Sequence, residues 1–396
     1  MTTANTYSHT YSRNDTSPIA QWWWTVDKGL LAAASTLIFL GVALSFASSP
    51  AAIRADESIT DPFHYAWRMI VFAAMGGTTM IIASLLSPRG VCRIAVLALF
   101  CAVVIMALLP FIGNEVKGAA RWINIGPFGL QPSEFAKPAL IVFAAWMFAE
   151  AQKGQGVPGV SIAFAVYLLT VGLLVIQPDI GQTLLVTTTF MAVFFMAGVP
   201  IRWMAVLGGI FLSGMIGVYF IFDHVRDRVG KFLSPGAADT YQIDRASEAI
   251  SAGGFLGRGV GEGVMKRNVP DLHTDFIYSV AAEEFGLVFS LILIGLYAFV
   301  VLRGLSRAMK LADPFHQTAA AGLFMLIGLQ AAINIAVNLN LIPTKGMTLP
   351  FVSYGGSSML AMGLTMGFAL ALTRRRPGAY EPGALLPRNR RRILPR

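Results

Sequence analysis

Residues 28–48 read KGLLAAASTLIFLGVALSFAS, charged at the first position and nowhere after it. About 20 apolar residues in a helix cross the hydrocarbon core of a bilayer. Asp27 and Arg54 stand outside this run, as charges outside a membrane span should. Nine further runs of the same kind follow, at 64–86, 91–111, 132–151, 158–176, 180–198, 202–222, 275–302, 315–341 and 350–373. The reading is an all-α, polytopic membrane protein with about ten transmembrane helices.

Composition agrees. Of 396 residues, 55% are hydrophobic and only 13% are charged, where a soluble domain carries about 25% charged residues. Too few charges are present to solvate a water-facing surface, so the ordinary soluble enzyme classes drop out. The net charge of +9 does not imply nucleic acid. Much of it lies in Arg374, Arg375, Arg376, Arg388, Arg390, Arg391, Arg392 and Arg396, a basic tail after the last span with no nucleic-acid motif beside it. Cys92 and Cys101 share one apolar run and read as packing residues.

The chain starts with a polar stretch, 1–27, without the apolar core of a cleavable signal. Trp22, Trp23 and Trp24 at its end read as an interfacial anchor. An inside N-terminus puts Arg89, Arg93, Lys153, Arg202, Arg303, Arg307, Lys310 and the tail in the cytoplasm. The short outer loops then receive only Arg54, Lys117, Arg121 and Lys345, the bias expected of N-in/C-in topology. The chain divides into a cytoplasmic N-terminus (1–27), seven spans (28–222), a large extracytoplasmic loop (223–274), three spans (275–373) and a basic cytoplasmic tail (374–396). Within the loop, Asp239 and Gln242 have capping-box spacing, and Ile243, Ala246 and Ile250 follow at helical spacing up to Gly253-Gly254. A short amphipathic helix near the outer leaflet is expected. The glycines at 253, 254, 257, 259, 261 and 263 lack the GK[ST] ending of a phosphate loop and read as a hinge.

Three polar clusters stand where lipid should discourage them. In RWINIGPFGLQPSEFAK (121–137), Pro132 suits a first helical position, and Glu134 and Lys137 share a helix face. They read either as an ion pair that staples the fold or, with Arg121, as a charged mouth for an anionic headgroup. In HTDFIYSVAAEEFG (273–286), Asp275 falls at a helix N-terminus, where the dipole favours the ionised carboxylate that a general base needs. A helix cap is the plainer reading, and Thr274 could serve equally. Glu283 and Glu284 lie deeper and on other faces, so they must meet a polar cavity, pair with a cation or be protonated. The third cluster holds Asn334, Asn338 and Asn340, then PTKGMTLPFVSYGGSS (343–358), with Lys345 in the outer loop. The glycines suit close helix packing, and the asparagines with Lys345 suggest a polar cavity. Gln177-Pro178-Asp179 reads as a tight turn.

RWINIGPFGLQPSEFAK, QPDIGQTLL, HTDFIYSVAAEEFG and NLIPTKGMTLPFVSYGGSS together resemble the SEDS family (shape, elongation, division and sporulation proteins) across roughly residues 28–375. PTKGMTLP and AARW resemble its division branch more than its elongation branch. The resemblance implies a peptidoglycan glycosyltransferase of the cell inner membrane, acting at the division septum. It would polymerise lipid II, the undecaprenyl-pyrophosphate-linked disaccharide pentapeptide, on the outer face. Its implied partners are a class B penicillin-binding protein transpeptidase and other divisome membrane proteins. The family's key acid maps onto Asp275, and its important Glu and Lys map onto Glu134 and Lys137. Arg121, Glu134, Lys137, Glu283, Lys345 and Ser357 are the substrate-binding candidates. No organic cofactor is expected, and a divalent cation, Mg²⁺ or Mn²⁺, is left open as an aid to the pyrophosphate. The rival classes are a lipid II flippase, which should carry ionisable groups near the midplane and inner half, an elongation-type polymerase, and a non-catalytic scaffold.

Overall fold

The computed structural model describes residues 17–53, 60–116, 119–125, 128–154, 156–199, 241–269, 271–343 and 346–374, with scattered positions between 205 and 230. A short helix α1 (Pro18–Thr25) leads into α2 (Lys28–Ala52), α3 (His64–Leu85) and α4 (Pro88–Ile112). Three strands follow, β1 (Asn114–Val116), β2 (Ala119–Ile125) and β3 (Phe128–Leu130). Then come α5 (Pro132–Gln152), α6 (Gly159–Ile176), α7 (Ile180–Met196), α8 (Tyr241–Gly253), α9 (Ile277–Ala308), α10 (Pro314–Asn338) and α11 (Gly356–Thr373).

Seven of these helices have the length and apolar composition to cross a membrane. Helix α5 has the length but carries Glu134, Lys137 and Glu150, and α7 is a shorter apolar helix. Nine of the ten expected spans thus have a helix at the expected place. The tenth, 202–222, falls mostly outside the described residues.

Helix starts follow their side chains. Asp27 caps α2 by accepting from the amides of Gly29 and Leu30, and Asp313 caps α10 through His316. Proline opens α4, α5 and α10. The interior is packed by small residues: a Cβ on Gly363 of α11 would stand 2.3 Å from the carbonyl oxygen of Gly76 on α3. Lipid gives helices no hydrophobic reason to associate, so close backbone approach of this kind must hold them.

Four expectations change. The α-helical membrane body carries an antiparallel sheet in the order β1-β2-β3, with Asn124 opposite Gly129. It grows from the alternating residues of 119–125, a pattern too short to stand out beside the spans. The tryptophans do not act as one belt. Trp22 is buried and donates its Nε1 to Ser84, while Trp23 and Trp24 lie under the Lys28 ammonium. Two of the loop glycines are close contacts rather than hinge points, because Gly253 and Gly257 pack against the carbonyls of Ala282 and Glu284 on α9. Finally, α9 is not one continuous helix: Gly286 breaks it at φ 77°, ψ −174°. The amphipathic helix does form, as α8, with Ala246 and Ala249 buried. Its proposed cap, Asp239, lies outside the described residues.

Candidate active site

Asp275 occupies the turn just before α9, half-buried. Phe276 takes the N-cap position, and the Thr274 hydroxyl donates back to the carbonyl of Asp271, so neither residue of the pair is the N-cap. What holds Asp275 is its own carbonyl. Asn334 and Asn338, one turn apart on α10, each donate Nδ2 to that oxygen at 2.9 Å. Asn338 Oδ1 accepts from the amide and hydroxyl of Ser279, and Asn334 also donates to the carbonyl of Met347. Both asparagines are buried. They bind backbone, tying the start of α9 to the loop before α11. Asn340 sits beyond the helix end at φ 57°, a conformation asparagine tolerates better than most residues.

The Asp275 carboxylate points toward that loop, with Oδ2 3.8 Å from the position a Cβ would take on Gly346. The adjacent Lys345 lies outside the described residues. His273, two residues before Asp275, stacks on Tyr65 at 4.3 Å, and its carbonyl accepts the amide of Tyr354. Burial lowers the imidazole pKa to about 4, against the opposing pull of Asp271. His273 is therefore neutral at pH 7 and supplies no cation.

A second network runs beneath. Lys137 is 1% exposed. Its Nζ donates to Glu134 Oε1 and to Gln330 Oε1, both at 2.9 Å. Gln182 also donates to Glu134 Oε1, at 2.7 Å. Gln330 passes the chain on to the carbonyl of Thr348, whose hydroxyl meets Ser358 at 2.6 Å. Lys137 is thus enclosed by protein and does not face a phosphate. Four elements, α5, α7, α10 and the loop before α11, meet at this one ion pair.

Arg121 on β2 binds the turn between α6 and α7. Its guanidinium donates to the carbonyls of Gln177 and Pro178 and stands 3.9 Å from Asp179 Oδ2. Burial raises the Asp179 carboxyl above its ordinary pKa, against the opposing charge of Arg121. Ser357 is committed as well: its hydroxyl donates to the carbonyl of Gly129 and accepts the amide of Gln131, pinning the sheet to α11. Glu283 is fully buried and takes the amides of Met265 and Lys266. Glu284 pairs with Lys266. Of the options for these two acids, cation pairing holds for Glu284, and backbone amides serve Glu283.

The structure therefore gathers Asp275, Asn334, Asn338, Thr348 and the Glu134–Lys137 pair around the loop before α11. Arg121 and Ser357 stand at its sheet side in structural roles, and Glu283 is engaged with a different loop. Gln182 lies in the QPDIGQTLL run and reads from sequence only as part of a tight turn. Gln330 and Lys266 are missed by the sequence reading: Gln330 is a lone neutral amide in an apolar run, and Lys266 is one of several charges in the outer loop. Among the described residues, no three His, Cys, Asp or Glu side chains converge to hold a metal ion.

This is a polytopic membrane protein whose polar, partly ionised groups gather at one end of a helix bundle. A family model described as "Cell cycle protein", FTSW_RODA_SPOVE, matches residues 28–377. A probable peptidoglycan glycosyltransferase FtsW from Caulobacter vibrioides is 63% identical over 377 residues, covering 95% of this chain and 96% of its own. Stage V sporulation protein E of Bacillus subtilis is 32% identical over 358 residues, covering 87% and 96%. Among solved structures, a peptidoglycan synthase complex that coordinates polymerization and crosslinking superposes with a TM-score of 0.71 at 28% identity, covering 89% of this chain and 98% of the other. The rod shape determining protein RodA of Thermus thermophilus does so at 0.64 and 27%, covering 89% and 97%. The chain belongs to the FtsW/RodA/SpoVE family.

Proposed function

We infer that this chain is a peptidoglycan glycosyltransferase that polymerises lipid II at the outer face of the cytoplasmic membrane during division. The observation that carries the mechanism is the placement of Asp275. Two asparagines hold its backbone, and its carboxylate is directed at a loop between two spans. In the reaction, the 4-hydroxyl oxygen of one sugar attacks the anomeric carbon of another. The bond to undecaprenyl pyrophosphate breaks, and the pyrophosphate keeps the electron pair. Asp275 accepts the hydroxyl proton, a transfer that contributes about 10²–10⁴-fold in enzymes. An α-linked donor gives a β-linked product in this single displacement, so one base suffices.

Lys345, beside Gly346, is the cation proposed to meet the pyrophosphate. The buried Lys137 acts at one remove by fixing Gln330 and Thr348. The residues described do not build a chelating site, so no step is assigned to a divalent cation. The likeness to a synthase complex that couples polymerization with crosslinking supports a transpeptidase partner, which we take to be a class B penicillin-binding protein, and a place at the septum.

The test is lipid II polymerisation by the purified chain with that transpeptidase, comparing wild type with Asp275→Asn. Ladders of glycan from wild type, reduced at least 100-fold in the variant, are expected. Equal ladders from both would move the base elsewhere. No ladders from either, with Mg²⁺ or Mn²⁺ supplied, would overturn the polymerase reading.

A further inference from the structure

The outer loop meets α9 where that helix is broken. In an unbroken helix the carbonyls of Glu283 and Glu284 would accept the amides of Leu287 and Val288. At Gly286 the backbone takes a φ/ψ combination open essentially to glycine alone, and both bonds are lost. All four groups find substitutes in one stretch of loop. Arg258 and Gly259 donate to Glu283 O and Glu284 O at 3.0 and 3.1 Å. Leu287 and Val288 donate to Gly254 O and Phe255 O at 2.9 and 3.3 Å. The loop's own amides are also met: Gly261 by the Glu284 carboxylate, Met265 and Lys266 by Glu283. The Lys266 ammonium is 3% exposed and bonds Glu284 and the carbonyl of Ala47 on α2.

This exchange occurs seven residues inside α9, about 10 Å along the axis from its first residue. At that depth irregular backbone survives only when protein satisfies it, which is the condition met here. The outward side of the same stretch is apolar: Phe255, Leu256 and Val260 are 75%, 82% and 67% exposed. They adjoin Leu287, Val288 and Leu291, exposed residues of α9 itself. An apolar surface this prominent is rare in water. Arg258 is exposed between Leu256 and Val260, and Glu262 is exposed two residues beyond Val260. The Arg258 guanidinium donates its Nε to the carbonyl of Ala252, and such polar residues among apolar ones suit a segment at the boundary between headgroups and acyl chains.

We propose that residues 254–264 form a re-entrant segment that seats Phe255, Leu256 and Val260 against outer-leaflet acyl chains, with Arg258 reaching back to the lipid phosphates. Continuity with the lipid-facing side of α9 favours lipid over a protein partner as the occupant. This stretch of the loop is then a membrane-bound strap on α9.

Site-directed spin labelling of the full chain in phosphatidylethanolamine–phosphatidylglycerol liposomes tests this. Cys92 and Cys101 are replaced by serine, and single cysteines are placed at Leu256, Val260 and, as a lipid-facing reference, Phe100, which is 67% exposed on α4. A single monodisperse species before reconstitution certifies folding. The expected result at 256 and 260 is oxygen accessibility several-fold above that of a water-soluble nickel chelate, as at 100. Higher nickel accessibility would place the segment in water and overturn the proposal. Low accessibility to both probes would mean that protein covers it and would overturn it equally.

Discussion

Lys137 and Glu134 are both almost fully buried, and each has hydrogen-bond partners beyond the other. Such a pair adds little over an apolar packing of the same volume, but breaking it leaves a charge with no counterion. Lys137→Met should therefore cost about 3–5 kcal/mol. The double variant Lys137→Met/Glu134→Gln should recover part of that loss, because no charge is stranded. Thermal unfolding of wild type, Lys137→Met, Glu134→Gln and the double variant in detergent closes the cycle. Equal destabilisation in the single and double variants would mean that the pair is not what holds these four elements. At this scale the sequence was informative about identity and less so about role. Asp275, Glu134 and Lys137 were conspicuous because ionisable groups are costly in lipid. Their partners Gln330 and Gln182 are neutral amides, which carry no such mark. Ser357 and Arg121 were recognisable as important residues, but their bonds to carbonyls of distant segments depend on tertiary geometry that spacing does not encode.

At the scale of elements, most helices were legible because a bilayer imposes one length and one composition, and nine expected spans coincide with helices. The break at Gly286 was not legible. Glycine in an apolar run is ordinary in membrane helices, and the loop that repairs the break lies some 30 residues earlier in the chain. The same repair makes Gly253 and Gly257, within the apparent hinge, close contacts to the backbone of α9. A Cβ on Gly253 would lie 1.9 Å from the Ala282 carbonyl oxygen, a backbone atom that cannot rotate away. Gly253→Val should therefore lift the strap off α9 while leaving the spans assembled. In liposomes the expected result is new trypsin cleavage after Arg258 and Lys266, with the spans still protected. Unchanged resistance at both sites would show that α9 and the loop part by less than the side chain demands.

Across the whole molecule the two ends are held differently. The outer end is tied by neutral amides, backbone carbonyls and the buried ion pairs Glu134–Lys137 and Glu284–Lys266. The inner end is latched by charge. Asp27, at the start of α2, meets Arg303 at 2.8 Å and Arg307 at 2.7 Å near the end of α9. Burial pushes the Asp27 carboxyl up, but the hydrogen bond from Arg303 and the charge of Arg307 outweigh it and hold the group below its ordinary pKa. The sign follows: this contribution is present above the unfolded carboxyl's pKa of 3.8 and is lost as pH falls below it. At neutral pH, Asp27→Asn removes the charge while keeping the shape. Both arginines are partly exposed, so solvent screening limits the loss to about 1–3 kcal/mol. The reacting groups lie a membrane's thickness away, so the variant should unfold at lower temperature and yet polymerise lipid II at the wild-type rate below its transition. If the rate fell while stability held, the inner latch would be coupled to the outer site, and the bundle would have to move as one body during turnover.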